Sequence, residues 1–167
     1  NGERMTPTFS VIVATSGRPT LTRTLASLAP QLEHDDEILV IRNNEAPWGH
    51  ATRDEAMHRA KGSHLWFMDD DDIATPYALE DIRGQVVQAP DAVHIFKMQH
   101  GTLVLWKDAV ARVGNVGTPM MVIPNVEGLL GRWGSQYEAD GYFLQETLAL
   151  RQDEPVFHEQ IVALIRP

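Results

Sequence analysis

The sequence predicts one α/β domain whose mostly parallel central sheet is flanked by helices. Three observations carry this. Short apolar, β-branched runs recur along the first half of the chain, helix-forming stretches lie between them, and polar turn residues close each run. A length of 167 residues is that of one ordinary domain, and no repeat, low-complexity tract or linker divides it. Hydrophobic residues at 43% and charged residues at 22% place the chain in the globular class.

The elements follow in order. Phe9 to Ala14 reads as a buried strand that turns at Thr15-Ser16-Gly17-Arg18-Pro19. Thr20 is placed to cap a helix through about Leu28, with Leu21, Leu25 and Leu28 on one face, and Pro30 near its end. Glu37 to Ile41 is a second strand, closed by Asn43-Asn44. Ala51 to Lys61 is a helix with Gly62 as its C-cap, and His64 to Met68 is a third strand. Thr75-Pro76 opens a helix to about Gln88. The second half is less regular: strands at Val93 to Met98, Leu103 to Trp106 and Met120 to Ile123, a helix at Asp140 to Leu150, and a closing strand at Val156 to Ile165.

In parallel α/β sheets, ligands bind outside the carboxyl ends of the strands. Thr15 to Arg18, Asn43-Asn44 and the run Asp69-Asp70-Asp71-Asp72 all fall at such ends. Four adjacent carboxylates repel one another, and a divalent cation neutralises them. Oxygen ligands suit magnesium, manganese and calcium. An acidic turn favoured by the dipole of the following helix is the plainer alternative.

Composition narrows the function. The chain has no cysteine, so disulfides and thiolate metal sites are excluded. A net charge of -9 disfavours nucleic acid and anionic membranes as partners. No apolar run approaches the roughly 20 residues that span a bilayer. The polar start Asn1-Gly2-Glu3-Arg4-Met5 has no signal-peptide pattern, and with the absence of cysteine it predicts a cytoplasmic protein.

The ordered set of segments resembles family 2 glycosyltransferases. Phe9 to Pro19 is similar to that family's opening strand and nucleotide loop. Arg53-Asp54-Glu55-Ala56, Ala60-Lys61-Gly62 and Leu65 to Asp72 are similar to its run of Arg, Ala-x-Gly, apolar strand and Asp-x-Asp-Asp. The resemblance covers about the first 90 residues well and the rest loosely. It implies a GT-A fold, a Rossmann-like sheet holding a nucleotide-diphospho-sugar, with residues 1–100 as the nucleotide-sugar half and 101–167 as the acceptor half. It implies nucleotide-sugar contacts from Thr15, Arg18, Asn43, Arg53, Asp69 and Asp70. The implied cofactor is Mn2+ or Mg2+, with Asp71 as direct ligand, Asp69 beside it and His158 as an extra ligand. Asp140, with Glu138, is similar to the acidic motif that supplies the catalytic base. The implied reaction is an inverting transfer from a nucleotide-diphospho-sugar, a UDP-sugar first, to an acceptor hydroxyl.

Some residues depart from the family. Arg42-Asn43-Asn44 stands where an acidic residue usually contacts the base, so a preference for uracil loses its usual partner. Arg132-Trp133 is similar to the Arg-Trp of processive sugar polymerases but lacks the accompanying glutamine and precedes the acidic motif, so processivity is rejected. A phosphatase with an Asp-x-Asp motif is disfavoured by Ile73 and by the two strand-helix units that come first. A nucleotidyltransferase of related fold and a sugar-nucleotide-binding module without a base remain as alternatives. The sequence names neither sugar nor acceptor.

Overall fold

The computed structural model describes residues 6–42 and 50–167. Its first strand, β1 (Phe9–Thr15), is buried along its whole length. It pairs in parallel with β2 (Glu37–Arg42) on one side and β3 (His64–Asp69) on the other. The registers Thr15↔Arg42 and Ala14↔Asp69 bring the three strand ends to one edge of the sheet. Asn43 lies outside the described residues.

The rest of the sheet is built by antiparallel additions and one parallel pair. β7 (Met121–Pro124) runs antiparallel to both β3 and β5 (His94–His100). β8 (Val156–Leu164) is parallel to β5, and β6 (Leu103–Leu105) forms a hairpin with β5. β4 (Ile73–Ala74) pairs antiparallel with β8 at the far edge, giving the order β2-β1-β3-β7-β5-β8-β4.

Side chains alternate across a strand, so each strand feeds two cores. Phe9, Val11 and Val13 pack with Trp66, Met68 and Phe96 beneath α1 (Leu21–Leu28) and α3 (Ala78–Val86). Ile12, Leu65 and Phe67 pack on the opposite face with α2 (His50–Arg59) and α4 (Ala139–Arg151). The expected α/β architecture, a sheet between two helical layers, is therefore present.

Three local expectations are corrected. Thr20 makes no side-chain cap bond, because its backbone is already helical at φ -63° and ψ -20° rather than in the extended region a cap needs. The helix expected from Thr75-Pro76 starts at Ala78. Thr75 instead donates its N–H to Val162 O (3.0 Å) and its Oγ1 hydroxyl to Ile161 O (3.0 Å), which docks the segment after β4 on β8. Gly62 is not a C-cap, since α2 ends at Arg59. It lets the chain pass against β1: a Cβ there would lie 2.6 Å from Ser10 N and 2.8 Å from Phe9 C. Gly62→Ala is therefore expected to lower stability by about 1–3 kcal/mol through overpacking against backbone that cannot yield. Urea denaturation of the two proteins measures it, and equal midpoints would contradict this account.

Candidate active site

The acidic run begins at the last residue of β3 and folds as a turn, with Asp72 N–H bonded to Asp69 O at 3.3 Å. Its side chains alternate in burial: Asp70 and Asp72 are buried, whereas Asp69 and Asp71 are partly open. Asp70 turns into the loop after β1. It accepts Thr15 Oγ1 (2.7 Å), Ser16 N (3.3 Å) and Arg18 Nε (2.8 Å). Burial alone would raise its pKa, but the Arg18 and Thr15 hydrogen bonds outweigh that and hold it below the ordinary value. Thr15 Oγ1 also accepts Gly17 N–H (2.9 Å), and Gly17 takes the left-handed φ of 90° that the turn requires. Asp70 and the Thr15 hydroxyl thus shape the loop, and Asp70 also borders the cleft described below. Arg18 remains half exposed and also reaches Asp71, Nη1 to Oδ2 at 3.0 Å.

The other three carboxylates converge. Asp69, Asp71 and Asp72 each offer an oxygen, and these oxygens lie within 4.8 Å of one another. Burial, followed by the neighbouring Asp69, pushes Asp72 up to about 8, and the N–H of Arg166 at 3.0 Å only partly opposes this. Crowding that keeps one carboxyl protonated is what a hard divalent cation relieves, and three carboxylate oxygens are a fitting donor set for Mg2+ or Mn2+. The sequence reading treats Asp72 only as an extension of the motif. Its inward turn and its partner Arg166, 94 positions away, have no signal in the local sequence.

Arg53, from α2, is buried and forms an ion pair with Asp69. Across the cleft, Asp140 sits in the first turn of α4 and accepts Gly141 N–H (2.8 Å) and Thr118 Oγ1 (3.3 Å). Burial raises its pKa, and Asp69 adds to the rise. Glu138 occupies the N-cap position without a side-chain cap bond, is exposed and lines the same cleft. The cleft measures about 620 Å³. The ends of β1 and β3, the segments 114–119 and 137–140, and Ile165-Arg166 line it. Thr15, Arg18, Arg53, Asp69, Asp70, Asp71, Glu138 and Asp140 are therefore gathered around one space.

His158 is not brought there. His94 Nε2 donates to Ala89 O, so its Nδ1 accepts from His158 Nε2 at 2.7 Å. The His158 ring stacks between His94 (5.0 Å) and Phe96 (4.6 Å), within β8 and away from the acidic turn. The expected metal-ligand role is corrected accordingly: that nitrogen already carries a proton for His94. Burial, with His94 adding to it, lowers His158 to about 4. The unfolded chain then binds more protons than the folded one between pH 6.5 and about 4, so stability falls as pH drops through that window. The expected loss from this ring is on the order of 2–3 kcal/mol. Denaturation midpoints across the window, compared with His158→Gln, check it; parallel slopes would contradict it.

Comparison with known proteins bears on the family and the fold. The family model described as glycosyl transferase family 2 matches residues 7–110. No curated protein matches the chain. Among solved structures, S. aureus TarS superposes with a TM-score of 0.75 at 16% identity, over 95% of this chain and 36% of that one. S. aureus TarS 1-349 in complex with UDP-GlcNAc gives 0.70 at 18% identity, over 93% and 57%. The same protein in complex with UDP gives 0.66 at 18%, over 93% and 59%. The chain thus spans between about a third and three fifths of these structures. Among the described residues, no helix is long and apolar enough to cross a membrane. With the family model covering more than half of the sequence and the shared fold behind it, this chain belongs to glycosyl transferase family 2.

Proposed function

We propose that the chain transfers a sugar from a nucleotide-diphospho-sugar to an acceptor hydroxyl, with a divalent cation and with inversion at the anomeric carbon. The observation that supports this is the meeting of two kinds of carboxylate in one cleft: the convergent Asp69, Asp71 and Asp72, and the half-buried Asp140 opposite them.

Asp69, Asp71 and Asp72 would hold Mn2+ or Mg2+, which supplies charge neutralisation for the diphosphate leaving group. Arg53 restrains Asp69, and Arg18 shares Asp71, so both arginines border the diphosphate position. Asp140 accepts the proton of the acceptor hydroxyl, whose oxygen attacks the anomeric carbon from the face opposite the leaving group. The raised pKa of Asp140 suits this task, since a base works best when its pKa nears the operating pH.

A UDP-sugar is the proposed donor, in keeping with the family and with the UDP-GlcNAc and UDP complexes of TarS. Arg42 ends β2 where the family usually places an acidic residue. Preference for UDP over GDP, CDP and TDP is therefore expected to be modest, below about tenfold, or about 1.4 kcal/mol. Competition titration in manganese measures this. A much larger preference would mean that backbone groups read the base. Release of UDP from UDP-sugars in manganese, and its loss in chelator, tests the function itself; identical rates in both would reject the metal-dependent donor site.

A further inference from the structure

The Arg132-Trp133 pair, rejected as a processivity motif, has no part in the reading above, yet it lies at a junction. The Trp133 ring is buried and carries the Arg53 guanidinium on its face, with Cζ 4.9 Å from the ring centre. The same ring stacks on Phe143 at 4.4 Å and 16°, and meets the edge of Phe67 at 5.0 Å. Phe143 lies on α4, three residues after Asp140. The backbone fixes the ring further: Trp133 N–H donates to Asp54 Oδ1 on α2 (2.9 Å), and Gly131 N–H donates to Thr147 Oγ1 on α4 (2.9 Å). Gly131 is required for this approach, because a Cβ there would lie 2.7 Å from Phe143 O.

We infer that Trp133 is a positioning residue that sets the Arg53 guanidinium against Asp69 and ties this donor-side pair to the helix carrying Asp140. Buried, with the indole already packed against Phe143, the ring cannot be the sugar platform that an exposed tryptophan would offer. An aromatic face attracts a guanidinium most strongly when both are desolvated, and Arg53 and Trp133 are both out of solvent. An apolar residue of similar bulk would fill the space but would no longer fix the cation. Asp69 would then lose the constraint on its side of the acidic turn.

The inference rests on the donor site proposed above, and a double-mutant cycle separates the two. The measured quantity is UDP affinity in manganese, with melting temperature recorded for every variant. Trp133→Leu is expected to weaken UDP binding about 5- to 30-fold. Trp133→Phe should come back to within about threefold of wild type, because it keeps an aromatic face. Leu148→Ala, in the same core, should lower the melting temperature without moving UDP affinity. In an Arg53→Gln background, Trp133→Leu should add less than about twofold, because the two residues act as a unit. Additive losses, or wild-type affinity in Trp133→Leu beside weakened binding in Arg53→Gln, would overturn the positioning role alone. Wild-type affinity in Arg53→Gln would overturn both it and the donor-side role of Arg53. If Trp133→Leu does not fold, fluorinated tryptophans take its place, since they weaken the ring's pull on a cation at nearly constant shape. UDP affinity that falls with fluorination in wild type but not in Arg53→Gln supports the inference, and a flat series in wild type overturns it.

Discussion

Asp140→Asn is expected to lose most transfer, about 100- to 10,000-fold, while donor and metal affinity stay close to wild type. The amide keeps the shape of the carboxylate: its carbonyl oxygen can still accept from Gly141 N–H, and its NH2 group, in place of the other oxygen, can donate to Thr118 Oγ1. What it cannot do is accept the acceptor's proton. The wild-type rate should also fall on acidification before an ordinary carboxylate would titrate, because burial raises Asp140 and only the ionised form is a base. The residual activity of Asp140→Asn should lack that limb. Donor affinity and transfer rate measured side by side, over a range of pH, decide the matter. Near-normal transfer would move the base elsewhere, with Glu138 next in line. Binding without transfer in wild type, with every acceptor tried, would favour the sugar-nucleotide-binding module instead.

Asp71→Asn is expected to abolish the metal-dependent part of nucleotide binding. In wild type, a nucleoside diphosphate with manganese should stabilise the fold by about 2.7 kcal/mol at a ligand concentration one hundred times Kd. The same nucleotide in chelator should stabilise it far less. Asp71 is partly open and shares its carboxylate with Arg18, so the substitution removes a charge from the convergent group without emptying the core. Thermal melts in manganese and in chelator give the comparison. An equal shift in both conditions, in wild type, would exclude the metal-bridged diphosphate.

Much of this arrangement is legible in the sequence. Val11 to Ala14 in β1 and Leu65 to Met68 in β3 are continuous apolar runs, as strands buried on both faces tend to be, so both the strands and their polar ends are readable directly. Asp140 enters the reading through the resemblance of Glu138-Ala139-Asp140 to the family's acidic motif, and the structure places it on the same cleft as the acidic run. The distribution of roles within the acidic run is not legible there, because neighbouring aspartates look alike until the turn points Asp70 and Asp72 inward. The His158 expectation failed for a similar reason. Its partner His94 lies 64 positions away, and the parallel pairing of β5 with β8 creates the contact. In the sequence Trp133 stands out only as half of a motif, since the ring's meeting with Arg53 depends on where the preceding loop meets α2.

The shortest strand has the widest reach in time. β4 contributes two residues, yet it carries the chain from the middle of the sheet to its far edge, where its partner is β8. Arg166, which answers Asp72, follows that partner directly. During synthesis the acidic turn is made early, but its second support appears only after some ninety further residues. Contacts so distant in sequence form late and slowly, because the loop between them must first be closed. A fragment ending near residue 110, where the family match stops, would contain the whole acidic run and still lack the strand that holds its far end. The acidic turn and the β8–Arg166 segment are in this sense one folding event, so the first half of this chain depends on the second to complete its own cleft.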